Sequence, residues 1–350
     1  MQKNKKFGRK SYIQVLETGL KYIEDRRSGL VRSLKTPWSG FNKAGIGGIE
    51  WGSMLTIGAR PGAGKTMIMS QILREARQHN PDQDFNVLEF QFEMGDKQYA
   101  ARQFAGEVAL EYNKILSTDK QLDEFTYQQI KKYIEDTKTL EKQGIRRDMI
   151  SSSLTHSEIR EAILETYVEY GNKPLLVTID HSWLIKPYQK EEKLATLYNT
   201  TEMIMGLKNQ IPIIVIMATQ LNRSIDEASR KTPSSIVNYP TSSDIFGGDA
   251  LMQGSDMVVA INRPYMADIR SYGPYAYQTK SESLFMHLIK IRNSNNKDNM
   301  LFMHMDGAHQ RIIEVAPPIA DRPTGSFVPR SERMGGGTRT TISADIGSEI

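Results

Sequence analysis

The stretch Ser53-Met54-Leu55-Thr56-Ile57-Gly58-Ala59-Arg60-Pro61-Gly62-Ala63-Gly64-Lys65-Thr66 joins an apolar run to a glycine-rich turn that ends in Gly-Lys-Thr. This order predicts a β-strand, a phosphate-binding loop and the first turn of a helix. Gly62 and Gly64 would let successive backbone N–H groups point at phosphate oxygens, and the positive end of the helix dipole adds to the attraction. Lys65 would reach the β- and γ-phosphates of a nucleotide, and the Thr66 hydroxyl would hold Mg²⁺.

The loop departs from the usual phosphate-loop pattern at its first position. Ala59 stands where the pattern has glycine, and Gly58 lies one residue early. The apolar strand before the loop and the apolar-striped helix after it supply the context that a phosphate loop needs. We therefore expect the nucleotide to be held by the whole loop, which comprises Ala59, Arg60, Pro61, Gly62, Ala63, Gly64, Lys65 and Thr66.

Composition limits the class of protein. With 350 residues, of which 39% are hydrophobic and 25% charged, the chain suffices for one large or two small globular domains. The net charge of +4 neither requires nor excludes a polyanionic partner. The absence of cysteine excludes disulfides and thiolate metal sites and fits a reducing compartment. No apolar run is long enough to cross a bilayer, so we expect a cytoplasmic protein without a membrane partner.

Changes in composition divide the chain into four regions. Residues 1–10 are a basic arm and residues 316–350 a Pro-, Gly- and Ser-rich tail, and we expect both to be disordered. Residues 11–35 predict a linker helix, and residues 36–315 are predicted as the core domain. The turn residues at 36–40 and 45–48 mark a linker at the start of this domain. A narrow apolar stripe on the helix would pack either on its own domain or on a neighbouring subunit. Its members are Ile13, Leu16, Leu20 and Ile23.

A carboxylate follows the predicted second strand. Residues 85–91 form an apolar run that leads into Phe92-Glu93-Met94. An acidic side chain just past a strand beside the phosphate loop can orient and deprotonate an attacking water. Glu93 is the candidate for this role, and the alternative is a surface glutamate that caps the next helix. A polar helical stretch is predicted to follow from 97 to about 143.

Two further apolar runs end in polar side chains. Residues 175–180 end in Asp180, as expected of a buried parallel strand whose carboxylate binds Mg²⁺ through water. Residues 213–219 are followed by Gln220, whose amide could sense a γ-phosphate. Open parallel sheets bind ligands at the carboxyl ends of their strands, so we expect Asp180 and Gln220 to lie near Lys65.

The second half of the chain predicts a long loop and a hairpin. Residues 221–254 are polar, and we expect a flexible loop, which in a compact domain is usually functional or disordered. Strands are predicted at 257–261 and 284–291, and the second leads through a turn at 293–297 into residues 300–303. This hairpin would place Lys290 and Arg292 near its tip.

Taken in order, these motifs resemble those of the DnaB-type replicative helicases from about residue 36 to residue 314. The family has an alanine-started phosphate loop, and Thr219-Gln220-Leu221-Asn222-Arg223-Ser224 is very close to its sensor motif. The other matching segments are Phe92-Glu93-Met94, residues 154–160, Ile179-Asp180 and Lys290-Ile291-Arg292-Asn293. The resemblance implies an α/β fold, with a RecA-like P-loop NTPase core, a central, mostly parallel sheet and a preceding linker helix.

The resemblance also implies an activity. It implies an ATP-hydrolysing, Mg²⁺-dependent helicase that forms a hexameric ring, moves 5′ to 3′ on single-stranded DNA and unwinds duplex DNA. Glu93 would activate water, and Lys290 and Arg292 would enter the neighbouring subunit's site as trans-acting fingers. Gln220 would couple the nucleotide state to a DNA-binding loop. Such an assembly favours the apolar stripe of the linker helix as a subunit-docking surface.

The chain departs from the family in two places. The family usually carries a helical collar before the linker helix, whereas about ten residues precede the helix here, which leaves open a primase or helicase loader as partner. Where the family has an arginine in its DNA loop, this chain has Phe246, followed by Gly247 and Gly248. DNA phosphates would then be contacted by backbone N–H groups or by nearby basic side chains. The basic candidates are Arg223, Arg230 and Lys231.

Two other classes of protein share the nucleotide motifs. One is a RecA-like ATPase that binds DNA without unwinding it, as a recombination or loading factor, although the linker helix and the Lys290 and Arg292 hairpin favour a ring motor. The other is a regulatory ATPase ring that binds protein partners, and Phe246-Gly247-Gly248 in place of basic residues supports it. Salt dependence of single-strand binding separates these classes, because phosphate contacts weaken steeply with salt.

Overall fold

A nine-stranded sheet organises the part of the chain that the computed structural model describes, residues 9–292 and 300–318. A separate two-stranded hairpin consists of β7 (Ser271–Tyr272) and β8 (Tyr277–Gln278). The strands of the large sheet are β1 (Ser53–Ala59), β2 (Asn86–Gln91), β3 (Arg147–Ile150), β4 (Leu175–Asp180), β5 (Ile213–Gln220), β6 (Met257–Asn262), β9 (Ser283–Ile291), β10 (Met300–Asp306) and β11 (Arg311–Glu314).

Strand order places the phosphate loop at the centre of the sheet. The order is β11, β10, β9, β6, β1, β5, β4, β2, β3. β1 to β6 run parallel to one another, whereas the pairs β6–β9, β9–β10 and β10–β11 are antiparallel. β1 lies between β5 and β6, with Ala59 opposite both Gln220 and Ile261. All of β1 is buried, which explains its continuous apolar sequence. The residues that follow β1, β2, β4 and β5 therefore share one edge of the sheet.

Helices cover both faces of the sheet. Residues with local start signals set several of their bounds, such as the capping box of Thr155 and Glu158 that begins α7. The helices are α1 (Tyr12–Arg27), α2 (Ser39–Ala44), α3 (Lys65–His79), α4 (Asp96–Glu107), α5 (Tyr112–Ile115), α6 (Glu124–Lys142), α7 (His156–Glu169), α8 (Lys193–Lys208) and α9 (Gly248–Gly254).

The sheet separates two apolar layers. Side chains of a strand alternate between its faces, so Leu55 and Ile57 of β1 join one cluster, and Met54 joins the other. The first cluster includes apolar residues of α3, and the second includes residues of α7 and α8. Because both faces are buried, the edge of the sheet is where polar side chains can gather around a ligand.

The segment between α1 and β1 belongs to the core. Leu34 and Ile49 pair through backbone hydrogen bonds of 2.7 and 2.9 Å, and Trp38 and Phe41 are fully buried. The Trp38 indole N–H donates to the carbonyl of Ile312 at 2.9 Å. The prediction of a turn-rich linker here is therefore wrong, because its apolar side chains pack into the first cluster among the turn residues.

The helical stretch predicted at 97–143 consists of three helices, α4, α5 and α6, and edge strand β3 follows it. β3 pairs in parallel with β2 and was absent from the prediction. Its four residues are partly exposed and include no apolar run. The guanidinium of Arg147 on β3 pairs with the buried carboxylate of Glu89 on β2, so a polar contact helps to hold this edge.

The loop predicted at 221–254 is folded. Short 3₁₀ turns follow one another along it, and α9 ends it. Ile225 and Ile245 are buried, and the Arg230 guanidinium donates two hydrogen bonds of 2.9 Å to Asp244. The prediction of a flexible loop is therefore wrong, because two apolar anchors and a buried ion pair hold the polar segment in place.

Helix α1 stands on the surface. Its apolar stripe is between 49% and 59% exposed, so the alternative in which the stripe packs on its own domain is wrong for the described residues. Near the C-terminal end of the helix, Arg26 pairs with Glu50 at 3.2 Å, and the Tyr22 hydroxyl donates to the same carboxylate at 3.0 Å. These contacts tie the end of α1 to the core while the stripe remains exposed.

Some predictions concern residues outside the described ranges. These are most of the basic arm at 1–10, most of the tail at 316–350 and the turn at 293–297. Within residues 9–292 and 300–318, no helix combines the length and apolar character that crossing a membrane requires.

Candidate nucleotide site

The loop after β1 has the backbone that phosphate binding requires. Gly62 and Gly64 have φ angles of +74° and +100°, in the left-handed region that favours glycine. Gly64 is the N-cap of α3, and Lys65 is its first residue. The unpaired N–H groups of the first helical turn therefore open on the loop, and the Lys65 ammonium adds a fixed positive charge there.

A hydrogen bond joins the start of α3 to the end of β4. The Thr66 hydroxyl donates to Oδ2 of Asp180 at 2.7 Å, and the Gln91 amide donates to the same oxygen at 3.4 Å. Asp180 is only 3% exposed, yet its Oδ1 has no hydrogen-bond partner among residues 9–292 and 300–318. A buried carboxylate oxygen without a donor, next to a hydroxyl with free lone pairs, suits a hard cation such as Mg²⁺.

A cleft of about 640 Å³ lies over the loop and brings together the predicted polar residues. Lys65, Thr66, Glu93 and Gln220 all line it, and Asp180 lies behind Thr66. Its volume falls in the range of ordinary small-molecule sites, about 300 to 1,000 Å³. Three segments that are distant in the chain therefore present phosphate-binding, acidic and amide groups to one space, and Asp180 contacts the first of them through Thr66.

Part of the cleft wall was absent from the sequence predictions. Arg102 of α4 and Tyr112 of α5 line it, with the guanidinium carbon 5.7 Å from the ring centre. The Tyr112 N–H donates to the carbonyl of Ala308, in the turn between β10 and β11, at 3.3 Å. These residues meet through tertiary contacts and form no local motif, so a single sequence offers no signal for them.

Glu93 faces the cleft beside a buried imidazole. Its carboxylate is half-exposed, and its Oε2 lies 3.8 Å from Nε2 of His181. Burial lowers the pKa of His181, although Asp180 and Glu93 act in the opposite direction, so the ring is neutral at neutral pH. Glu93 makes no capping hydrogen bond to α4, whose N-cap is Gly95. The geometry therefore does not support the alternative role of Glu93 as a helix cap.

The segment at 221–254 is held against the phosphate loop by hydrogen bonds and an ion pair. Gln220 ends β5 beside Ala59, and its carbonyl accepts a hydrogen bond of 2.9 Å from the Phe246 N–H. Arg60 pairs with Asp226 at 2.7 Å and also donates to the carbonyl of Leu221 at 3.1 Å. The side chain of Arg60 thus links the phosphate loop directly to the segment that was predicted to contact DNA.

The basic residues of this segment differ in their surroundings. Burial alone would raise the pKa of Asp244, but hydrogen bonds from Arg230 and Thr241 hold it below its usual range. Arg230 also donates to the carbonyls of Val237 and Tyr239, so its guanidinium is committed within the loop. By contrast, Arg223 and Lys231 are exposed. They are the two basic side chains of the prediction that remain accessible to a phosphate.

Lys290 and Arg292 lie at the opposite edge of the sheet. Arg292 pairs with Asp256, just before β6, at 2.9 Å, and Lys290 donates to the carbonyl of Met252. Burial lowers the pKa of Lys290, and the neighbouring Arg292 lowers it further. The seven residues of β1 span roughly 20 Å at about 3.3 Å per residue, which separates this edge from Lys65. Neither side chain can serve the cleft of its own chain.

Comparison with known sequences gives a consistent result. Residues 34–307 match the family described as DnaB-like helicase C terminal domain. The replicative DNA helicase DnaB of Buchnera aphidicola from Acyrthosiphon pisum is 27% identical over 234 residues, 67% of this chain and 47% of the relative. That of Helicobacter pylori is 25% identical over 318 residues, 87% of this chain and 59% of the relative. The chain spans about half the length of the curated relatives it matches.

Comparison with solved structures concerns the fold. The ATPase domain of G40P superimposes with a TM-score of 0.70 at 15% identity, over 88% of this chain and all of that one (100%). A second structure is that of a DnaB-like replicative helicase, described together with its interactions with primase. It has a TM-score of 0.68 at 14% identity, over 86% of this chain and 66% of that one. The predicted α/β fold with a RecA-like core and a mostly parallel central sheet is confirmed.

Proposed function

The chain belongs to the family of DnaB-like helicase C-terminal domains, and we propose that it is the ATP-hydrolysing motor of a replicative DNA helicase. In this proposal it assembles into a hexameric ring, moves 5′ to 3′ on single-stranded DNA and unwinds duplex DNA. The observation that carries the proposal is the meeting of Lys65, Thr66, Glu93 and Gln220 at one cleft, with Asp180 behind them.

The residues of the cleft divide the work of phosphoryl transfer to water. Lys65 and the N–H groups of the loop hold the phosphates, and Glu93 accepts a proton from the attacking water. Thr66 and Asp180 are the residues that would hold Mg²⁺, which when bound neutralises phosphate charge. His181 is neutral, so it places no positive charge beside the carboxylate of Glu93. Catalysis of this kind depends on positioning and electrostatics rather than on covalent chemistry.

A neighbouring subunit completes the site. Lys290 and Arg292 lie at the edge of the sheet that is remote from their own cleft, so we propose that they act in the next protomer. A finger of this type contributes roughly 10³ to 10⁵ in rate in related phosphate-loop enzymes. Head-to-tail contacts that repeat by rotation close into a ring, and the exposed stripe of α1 supplies an apolar surface for such a contact.

Nucleotide state would reach DNA through the end of β5. Gln220 faces the cleft while its carbonyl holds Phe246, and Arg60 of the phosphate loop holds Asp226. A shift of the phosphates would therefore move the segment at 221–253, in which Arg223 and Lys231 are accessible to DNA phosphates. Single-stranded DNA is the proposed track, and a primase or helicase loader is a further partner of the proposed assembly.

One alternative has an observation in its favour. The segment Phe246-Gly247-Gly248 has no basic side chain for binding DNA phosphates. A regulatory ATPase ring that binds proteins would not need such a side chain. ATP hydrolysis measured with and without oligo-dT, between about 50 and about 200 mM salt, tests the two functions. The helicase proposal predicts stimulation by single strands, with an apparent affinity that falls steeply with salt. An absence of any DNA effect at low salt would favour the regulatory ring.

A further inference from the structure

Two aromatic side chains meet on the surface beside the proposed DNA segment. Trp183 follows β4 in a short 3₁₀ turn, and Phe246 lies in the segment after β5. Their ring centres are 4.6 Å apart, and the ring planes meet at 82°, an edge-to-face contact. Trp183 is nevertheless 39% exposed. The pair therefore presents aromatic surface to solvent.

The surroundings of the pair fix its shape. Gly247 adopts a φ of +68°, and a Cβ there would come within 2.1 Å of the Leu197 side chain, so glycine is strongly favoured in this turn after Phe246. The Lys193 ammonium donates to the carbonyls of Trp183 and Ile185, both at 3.0 Å, and lies 5.8 Å from the indole centre. A positive charge thus lies next to rings that are held in place by backbone contacts.

The pair is attached to the nucleotide site at two points. Ser182, which precedes Trp183, donates through its hydroxyl to the Thr219 hydroxyl at 3.2 Å. The Phe246 N–H donates to the carbonyl of Gln220 at 2.9 Å. The two rings therefore lie on the segments that follow β4 and β5, the strands that end in Asp180 and Gln220 at the proposed nucleotide site. A surface that only binds another protein would not require these contacts with the nucleotide site.

We propose that Trp183 and Phe246 form a platform on which bases of single-stranded DNA stack. Aromatic stacking is tolerant of sequence because every base has a π-face, as a translocating motor requires. The inference rests on the proposed function and adds a base contact to it. It also accounts for Phe246 at the position where the family's DNA loop has an arginine, because stacking replaces part of the grip that a phosphate contact would provide.

Stacking can be separated from phosphate binding with two oligonucleotides. The full chain is titrated with fluorescent oligo-dT and with an abasic oligomer of the same length, which has the phosphates without the bases. Trp183→Leu keeps apolar contact with Phe246 but removes the ring, and Trp183→Phe keeps a ring. We expect Trp183→Leu to bind oligo-dT about 10-fold more weakly, in line with the stacking contribution of one base, and to bind the abasic oligomer as the wild type does.

Further readouts distinguish the outcomes. Trp183→Phe should retain most of the affinity, Phe246→Leu should weaken oligo-dT binding in the same direction, and the salt dependence of Trp183→Leu should match that of the wild type. Equal oligo-dT affinity of wild type and Trp183→Leu would overturn the platform and leave the helicase proposal intact. Failure of the wild type to bind either oligomer would overturn both proposals. Thermal unfolding of each variant verifies that it is folded.

Discussion

The guanidinium of Arg292 lies 2.9 Å from the carboxylate of Asp256, at the edge of the sheet remote from the phosphate loop. The same carboxylate accepts a hydrogen bond of 3.0 Å from the N–H of Met54, at the start of the strand that leads to this loop. Asp256 therefore holds the proposed finger against the first residues of β1. The half-exposed guanidinium is displayed outward, in a position to meet another subunit.

This position predicts complementation between two inactive variants. Arg292→Ala should hydrolyse ATP about 10³-fold more slowly than the wild type and still bind nucleotide, and Lys65→Ala should be inactive because its phosphate loop is impaired. In rings reassembled from both, a Lys65→Ala subunit presents its intact finger to the intact loop of an Arg292→Ala neighbour. Phosphate release from the mixture should therefore exceed that from either variant alone.

The control for this experiment is Arg270→Ala, which removes another exposed, paired arginine and should have near wild-type hydrolysis. A mixture that is no more active than its components would contradict a finger that acts between subunits. Wild-type hydrolysis by Arg292→Ala alone would exclude Arg292 as the finger.

Oδ1 of Asp180, which accepts no hydrogen bond from the part of the chain that the structure describes, predicts an effect on metal dependence. Asp180→Asn keeps the shape of the side chain but removes the charge next to Thr66. We expect hydrolysis to fall by about 10- to 100-fold, with a higher Mg²⁺ concentration needed for half-maximal rate. The measurement is ATP hydrolysis as a function of Mg²⁺, with the exposed Asp268→Asn as control. An unchanged Mg²⁺ dependence in Asp180→Asn would remove Asp180 from the metal site.

The ion pair of Arg230 and Asp244 predicts that substitution of Arg230 destabilises the fold, whereas substitution of the adjacent Lys231 does not. Arg230→Ala leaves a buried carboxylate without its partner and should lower the free energy of unfolding by about 3 kcal/mol. Lys231→Ala, at an exposed site, should change it by less than about 0.5 kcal/mol. Urea unfolding measures both. Equal effects of the two substitutions would show that the pair does not hold the loop.

Acid should weaken the same pair. The folded-state pKa of Asp244 lies below its ordinary value of about 3.9, so the unfolded chain takes up the proton first as pH falls. The stabilisation from the pair is therefore complete above about pH 4 and is lost as pH falls through the lowered pKa. The difference in unfolding free energy between wild type and Asp244→Asn should be constant near neutral pH and should shrink below about pH 4. A difference that grows in acid would contradict this assignment.

Two adjacent glycines test whether residues 34–49 belong to the core. A Cβ at Gly48 would come within 2.2 Å of the Leu34 carbonyl oxygen, whereas a Cβ at Gly47 meets no atom of the described residues within 4 Å. Gly47, with φ of +76°, lies in the left-handed region, where alanine should cost about 1 to 2 kcal/mol of backbone strain. Gly48, with φ of +132°, lies in a region nearly confined to glycine, so alanine there should cost at least as much before any clash. Gly48→Ala should cost about 1 to 3 kcal/mol more because of the clash. Equal unfolding free energies of the two variants would contradict the close contact.

The centre of the fold was predictable from the sequence because buried parallel strands are continuous apolar runs. The predicted bounds of the strand at 175–180 are those of β4, and Asp180 lies beside Thr66 as the strand ends require. This inference needs only the rule that parallel strands share an edge. The resemblance to a known family then supplied the order of the motifs and the RecA-like form of the fold.

Other parts depend on contacts between distant residues. β3 is a polar edge strand held in part by Arg147 and Glu89, so no hydrophobic period marks it. Trp38 lies among turn residues, but its indole packs against β11, far along the chain. The wall of the cleft formed by Arg102 and Tyr112 likewise arises from packing against the turn between β10 and β11. Local patterns carry no information on such pairings.

The proposed function is that of a ring helicase that moves from 5′ to 3′. It is tested by ATP-dependent unwinding of a forked duplex that carries a single-stranded loading tail at either its 5′ or its 3′ end. The protein concentrations should range from below to above the concentration at which the ring assembles. Unwinding should require ATP and the 5′ tail, increase cooperatively with concentration and be absent in Lys65→Ala. Unwinding from the 3′ tail alone would contradict the proposed direction, and ATP hydrolysis stimulated by single strands without any unwinding would favour the non-unwinding DNA-dependent ATPase.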